Sequence, residues 1–408
     1  MTTSATASTT SQLTALRAAW LFDGTGSALI PDPVVLIEGG TIRGVTSGGP
    51  APAGATVIDL PGAALLPGLV DTHVHLAFDA STDPVGHLAR REDDQVVDAM
   101  EHAGRAALAG GVTTIRDLGD RDYLSLGLRG QAGLPTILAA GPPITSPGGH
   151  CHFLGGTAAP TVEGVRAAVR EHATRGVDVI KIMASGGSMT PGSRQDLAQF
   201  PPEVLCAAVD EAHRLGLPVT AHAHAVAAIA DAVEAGVDGL EHASFWTEDG
   251  VDAPDHLIGL IADRRIVVGA TVGQVPIPGR TPPPAIAARI PAIMANTRRL
   301  HEAGAPLVAG TDGGIAPVKP HHVVRYAPAM LRHLGYCQAE ALRAITSVAA
   351  EACGLAHRKG RIAPGFDADI LVVDGDPIAD PDALHRIRAV YARGAAVPGS
   401  RSPGATAN

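Results

Sequence analysis

Aromatic side chains are scarce in this 408-residue chain, at 3% of positions. The hydrophobic fraction is nevertheless 46%, so a large core must be built from Ala, Val, Leu and Ile. Cysteine is scarce as well. Cys151, Cys206, Cys337 and Cys353 form no CxxC pair and no disulfide-dense framework. A reducing compartment is the simpler expectation, and with it a cytoplasmic location. Positive charge is in deficit, with a formal net charge of −10, which argues against a general nucleic-acid binder. No apolar run reaches the ~18 residues needed to span a bilayer, so no membrane partner is expected. The first residues, 1–12, are rich in Ser, Thr and Ala and lack a basic region ahead of an apolar stretch. They read as a frayed tail, not a secretory signal. Residues 398–408 read as a second flexible tail.

Glycine (48) and proline (32) are abundant but scattered among apolar segments, a turn-rich globular pattern. Three sections follow along the chain. Residues 13–65 hold short β-like runs separated by Gly and Pro turns. Residues 66–350 alternate strand-like with helix-like segments. The strand candidates are Gly68–Leu76, Val112–Asp117, Thr136–Ala140, Val177–Ala184, Pro218–His224, Val237–Ala243, Ile266–Thr271 and Pro306–Thr311. Between most of them lie Ala-rich stretches of helical periodicity, such as Asp94–Ala109, Val162–Thr174 and Ala285–Ala303. Short apolar runs of this kind suit fully buried parallel strands. Eight such units predict an α/β fold, a (β/α)8 TIM barrel; a doubly wound sheet is disfavoured because the first βα turn lacks a phosphate-binding Gly fingerprint. Residues 360–397 return to β. The two flanks are expected to meet as one small β-sandwich beside the barrel.

Barrel enzymes carry their chemistry at the C-terminal ends of the strands. Those ends are unusually polar here. The first ends in Asp71-Thr72-His73-Val74-His75, and the fourth contains Ile180-Lys181-Ile182-Met183. The fifth ends in His222-Ala223-His224, the sixth in Glu241-His242 and the eighth in Thr311-Asp312. Side chains two apart on a strand share a face, so His73 and His75 point the same way. Imidazole and carboxylate are common ligands of Zn²⁺. One His-x-His is a weak signal, but four more polar residues at successive strand ends strengthen it greatly. On strand five His222 and His224 share a face, and the spacing alone leaves either as the ligand.

With these residues the chain resembles the amidohydrolase superfamily, in its binuclear-metal branch. The supporting strings are Leu66-Pro67-Gly68-Leu69-Val70-Asp71-Thr72-His73, Ile180-Lys181-Ile182-Met183-Ala184-Ser185-Gly186-Gly187, Gly239-Leu240-Glu241-His242 and Ala309-Gly310-Thr311-Asp312. Gly365-Phe366-Asp367-Ala368-Asp369-Ile370 adds to them. The flavour is that of prolidase-like metal-dependent dipeptidases and carboxypeptidases and of ochratoxin-type amidases. The resemblance implies two divalent cations, Zn²⁺ by expectation, held by His73, His75, Lys181, His222, His242 and Asp312. It implies that Lys181 adds CO₂ to become N6-carboxylysine, a carbamate that bridges the two metals. It further implies that a metal-bridging hydroxide attacks the substrate, that Asp312 shuttles the proton, and that the protein is a homo-oligomer.

His150 in Ser146-Pro147-Gly148-Gly149-His150-Cys151-His152 matches a histidine of this branch thought to contact substrate, although Cys151 departs from the usual small residue. His152 and His224 are further candidates for substrate contact. The expected activity is hydrolysis of an amide bond in a small molecule, a dipeptide or an N-acyl amino acid. Opening of a cyclic amide, lactone or carbamate, including xenobiotic or mycotoxin substrates, is the second reading. A non-catalytic metal-binding protein is the third.

Overall fold

The computed structural model describes residues 12–398. The tails expected at 1–12 and 398–408 therefore lie almost wholly outside the described residues. The chain is a mixed α/β fold with three sheets.

The parallel part begins with β6, once five strands have been laid down: β1 (Thr14–Leu21), β2 (Ile30–Pro31), β3 (Pro33–Glu38), β4 (Thr41–Ser47) and β5 (Thr56–Pro67). Strands β6 (Leu69–Val74), β7 (Val112–Asp117) and β8 (Thr136–Ala139) form one parallel sheet in chain order. Strands β9 (Ile180–Met183), β10 (Val219–Ala225), β11 (Gly239–Trp246), β12 (Val267–Gly269) and β13 (Leu307–Val308) form a second, also in chain order. Single parallel bridges relate the two sheets at both edges. Ile144, beyond β8, pairs with Ile182 in β9, and Val74 in β6 pairs with Gly313, beyond β13. Sequential parallel pairing requires a crossover between neighbours, and helices supply most of them.

The helix Val162–Arg175 shows why such segments are helical. Thr161 caps it by accepting from the Gly164 amide at 3.1 Å, and Gly176 ends it in a left-handed conformation (φ 82°). Its buried residues Val165, Val169 and His172 recur at helical spacing and face the core. The expected helix over 285–303 is two pieces, Pro284–Ala287 and Ile290–Glu302. Pro291 has no N–H to donate to Ala287, so the first piece cannot run into the second.

The flanks meet in one sheet of eight strands. Strands β14 (Ile370–Asp374), β15 (Ile387–Ala392) and β16 (Ala395–Ala396) complete it, in the order β16-β15-β14-β5-β1-β3-β4, with β2 on β1. The alternation of side chains on β14 divides two cores. Ile370 and Val372 pack with Leu16, Val35 and Ile42 of the flank, whereas Leu371 and Val373 join the large core of the parallel sheets. A buried ion cluster pins the same junction. Lys359 Nζ reaches Asp369, Asp367 Oδ2 at 2.9 Å and Thr136 Oγ1 on β8 at 2.9 Å. The lysine side chain is 1% exposed, so removing its charge strands the buried Asp369 carboxylate. Lys359→Met is expected to cost about 3–5 kcal/mol in stability, measured by urea unfolding. A loss under about 1 kcal/mol would show that the cluster does not hold the junction.

Candidate metal centre

Strand register sets the site. Thr220 pairs with Lys181, His222 with Met183, and Ala223 with His242, so the polar residues of β9, β10 and β11 end at one level. His75 lies one residue beyond β6, and its amide donates to Gly313 O at 2.8 Å, beside Asp312. The Asp312 amide in turn donates to His73 O at 2.7 Å.

Two groups result. His73, His75 and Asp312 have ligand atoms within 4.8 Å of one another, and so do His222, His224 and His242. Asp312 Oδ1 is 3.2 Å from His75 Nε2 and 3.6 Å from His73 Nε2. Both groups line one cavity of about 50 Å³, together with Lys181, His150, Cys151, Phe78, Met183, Met189 and Ile315. His150 sits beside His222, ring centres 4.7 Å apart. His152 is exposed, its Nδ1 donates to Gly149 O at 3.0 Å, and it does not line the cavity.

Hydrogen bonds fix one nitrogen of His75, His222, His242 and His224. His75 Nδ1 donates to Gly119 O at 3.0 Å, and its Nε2 faces Asp312 Oδ1 at 3.2 Å. His222 Nε2 donates to Gly186 O at 3.1 Å, leaving Nδ1. His242 Nδ1 pairs with Thr271 Oγ1 at 2.9 Å, and that hydroxyl donates to Gly269 O, so His242 keeps Nε2 free. His224 Nδ1 lies 2.6 Å from Ser244 Oγ, and its ring stacks on His242 with centres 4.5 Å apart. His222 and His224 thus both belong to the second group.

Protonation suits cation binding, because ligands must present lone pairs. Burial holds His73 at about 4 and His224 at about 3, and pushes His222 and His242 well below the usual imidazole range. His75 is the exception: burial lowers it, but its bond to Asp312 outweighs burial and raises it. For Asp312 burial favours the neutral acid, yet His73 and His75 hold it ionised, well below the usual carboxylate range. Lys181 is the decisive residue. Its Nζ is buried without any hydrogen-bond partner, and burial lowers its pKa to about 8. A free ammonium would be stranded there. A group that joins the nitrogen and offers oxygens to cations fits the cradle, as do four or five neutral imidazoles and a carboxylate.

The backbone is bent where the side chains must converge. His242, Ala243, Phe245, Thr271 and Asp312 all have left-handed φ, between 43° and 72°. His242, Ala243 and Phe245 lie within β11, and Thr271 and Asp312 lie past the ends of β12 and β13. The expected strands over 266–271 and 306–311 accordingly shrink to Val267–Gly269 and Leu307–Val308.

Several residues around the site escaped the sequence reading. Glu241 Oε2 is 2.9 Å from His73 Nδ1, and its Oε1 accepts from Thr220 Oγ1 at 2.8 Å and Arg116 Nη2 at 3.2 Å. Burial works against its ionisation, but His73, Lys181 and Arg116 outweigh that and keep it charged. Asp71 accepts from the Thr311 amide at 3.0 Å and from its hydroxyl, lashing β6 to the segment that carries Asp312. Lys319 Nζ donates to Thr271 O at 2.9 Å and Thr311 O at 2.8 Å. Gln199 accepts from the His150 amide at 2.6 Å and donates to Met183 O at 2.7 Å. Glu241 and Asp71 stood in the quoted strings and could have been flagged as acids beside histidines. Lys319 and Gln199 lie in loops with no pattern to mark them.

The profile of the amidohydrolase family matches residues 64–397. Ochratoxinase of Aspergillus niger is 31% identical over 241 residues, 56% of this chain and 47% of that protein, so the match spans about half of the relative's length. Two solved structures are similar over nearly the whole chain. A Xaa-Pro dipeptidase with methionine bound in its active site has a TM-score of 0.82 at 26% identity, covering 94% of this chain and 99% of that one. Phenylurea hydrolase B has a TM-score of 0.81 at 27% identity, covering 97% and 100%. With these matches across the strands that carry the site, the chain belongs to the amidohydrolase family.

Proposed function

We propose that this chain is a binuclear metal-dependent hydrolase that cleaves an amide bond in a dipeptide or an N-acyl amino acid. The reading takes β6–β13 as one (β/α)8 barrel over residues 66–350, with 13–65 and 360–397 as the accompanying β-domain. The single observation that carries it is Lys181 Nζ, buried and unpartnered in the cavity that both ligand groups line. His73, His75 and Asp312 would hold one cation, and His222 and His242 the other. A carboxylated Lys181 would lie between them. Bound there, divalent cations would supply Lewis acidity and lower the pKa of water in the site.

The chain's own residues do the rest. Asp312, ionised and at the strand end, accepts a proton from the attacking water and returns it to the leaving nitrogen. His150 is placed to contact the substrate, held by Gln199 through its backbone amide. Phe78, Met183, Met189 and Ile315 give the cavity apolar walls that exclude water.

A second reading is favoured by the cavity lining. Among the described residues that line it, the one Lys or Arg is Lys181, which carboxylation would consume. A substrate with a free carboxylate then finds no side-chain counter-ion, and an unpaired buried charge is costly. An uncharged carbamate, urea or cyclic amide avoids that cost. The likeness to the dipeptidase and to ochratoxinase supports the first reading, and the likeness to phenylurea hydrolase B the second.

Metal analysis and a substrate panel test these together. The purified protein is expected to hold about two Zn²⁺ per chain and to turn over at least one panel member. The panel contains dipeptides, N-acetyl amino acids, aryl carbamates, phenylureas, lactones and cyclic imides. Turnover confined to the uncharged members selects the second reading. Two bound metals with no turnover of any member would leave a binding protein. Asp312→Asn is expected to lower kcat by about 10²–10⁴-fold while metal stays bound; near-normal kcat would remove the proton-shuttle role. The role of His150 has its own test. A Cβ on Gly187 would lie 2.3 Å from His150 Nε2 and must push the ring aside. Gly187→Ala is expected to raise KM several-fold with unchanged metal content. Loss of metal in this variant would instead make His150 a ligand.

A further inference from the structure

We infer that Glu241 and Arg116 are positioning residues that fix the tautomer of His73, and so decide which of its nitrogens faces the metal centre. The inference rests on the metal-centre reading above and concerns residues behind the ligands. His73 is buried, and both its nitrogens could in principle bind a cation or carry the proton. Glu241 Oε2 lies 2.9 Å from Nδ1, and a carboxylate can only accept. A carboxylate at that distance favours the proton on Nδ1 and leaves the lone pair on Nε2, 3.6 Å from Asp312 Oδ1.

The second oxygen explains why a carboxylate is needed. Glu241 Oε1 accepts from Arg116 Nη2 at 3.2 Å and Thr220 Oγ1 at 2.8 Å. Donors thus approach both ends of the side chain. An amide of the same shape cannot satisfy them: if its oxygen serves Arg116, its NH₂ faces His73 and demands the opposite tautomer. Arg116 is held to this task from two further sides, with Nε on Thr72 O at 2.8 Å and Nη1 on Ala352 O at 3.3 Å. Space is reserved as well. A Cβ on Gly269 would stand 2.1 Å from Glu241 Oε2, so the residue facing it on β12 must be glycine. Outer contacts of this kind are typically worth 10–100-fold in metal affinity.

The test compares wild type, Glu241→Gln, Arg116→Met and the double variant. Each metal-free protein is titrated with Zn²⁺ against a chromophoric chelator, with circular dichroism as the check on folding. Glu241→Gln is expected to weaken binding about 10–100-fold. The double variant is expected to recover most of that loss, because without Arg116 the Gln oxygen can turn to His73 while its NH₂ donates to the Thr220 hydroxyl. If Glu241→Gln does not fold, a double variant that folds and binds Zn²⁺ supports the inference equally. Wild-type affinity in Glu241→Gln overturns it, and so does a double variant no better than Glu241→Gln. In both cases the metal-centre reading survives if wild type binds two Zn²⁺. A wild type that binds none overturns both.

Discussion

Lys181 Nζ is a primary amine buried in the interior with no acceptor in reach, set among imidazoles that are themselves neutral. Leaving a buried donor unmet costs about 1–3 kcal/mol, and a buried ammonium costs more. A fold keeps such a group only where something repays it. Lys181 is held by β9, flanked by Ile180 and Ile182, which are fully buried and point away from it along the pleat. Lys181 is 1% exposed and ends in the cavity that the imidazoles line. The arrangement of the whole site follows: imidazoles that resist protonation, His75 apart, a carboxylate held ionised by its neighbours, and an amine that is unsatisfied until it is modified or bonded.

That convergence is bought with backbone strain. Side chains on straight parallel strands alternate between faces, which would send Glu241 and His242 in opposite directions. The left-handed φ of 72° at His242 breaks the pleat, so Glu241 meets His73 while His242 meets His222 and His224. Asp312, at φ 62°, is bent in the same way. Each such residue costs on the order of 1–3 kcal/mol and persists only if its surroundings hold it. Asp71 and Lys319 do so at the Asp312 end. Asp71 grips Thr311 through amide and hydroxyl, while Lys319 bonds the carbonyls of Thr271 and Thr311, each beside or at a left-handed residue. Charge opposes charge across this clamp, so neither buried ion is left without compensation.

The same bends explain what could be read in advance. His73, His75, His222, His242 and Asp312 were legible as candidates because they lie at the ends of apolar runs, and Lys181 because it interrupts one; apolar runs mark buried strands. The flanks were legible as β because their turns carry Gly and Pro. The lengths of β12 and β13 were not, since a left-handed Thr271 or Asp312 carries no mark in composition. Arg116 was hidden for a related reason. It sits inside Val112–Asp117, where a cation reads as a break in an apolar strand, and its partner Glu241 is 125 residues away. Contacts of that separation depend on how the two parallel sheets meet, which no local pattern expresses. The choice between His222 and His224 stayed open for the opposite reason. Period-two geometry puts both in the site, and the structure keeps both there.

The flank sheet bears on the site through its shared strands. Strand β5 runs into β6 with only Gly68 between them, so the ladder that pairs β5 with β14 ends one residue before the strand of His73 begins. Gly68 itself donates to Asp369 O at 2.9 Å, and a Cβ there would strike Thr113 on β7. Because Leu371 and Val373 fill the core of the parallel sheets while Ile370 and Val372 fill that of the flank, β14 cannot leave one without opening the other. The position at which β6 enters the parallel sheet is therefore set by residues some 300 positions later in the chain. His73 and His75 inherit that position, and with it the distance at which they face Asp312.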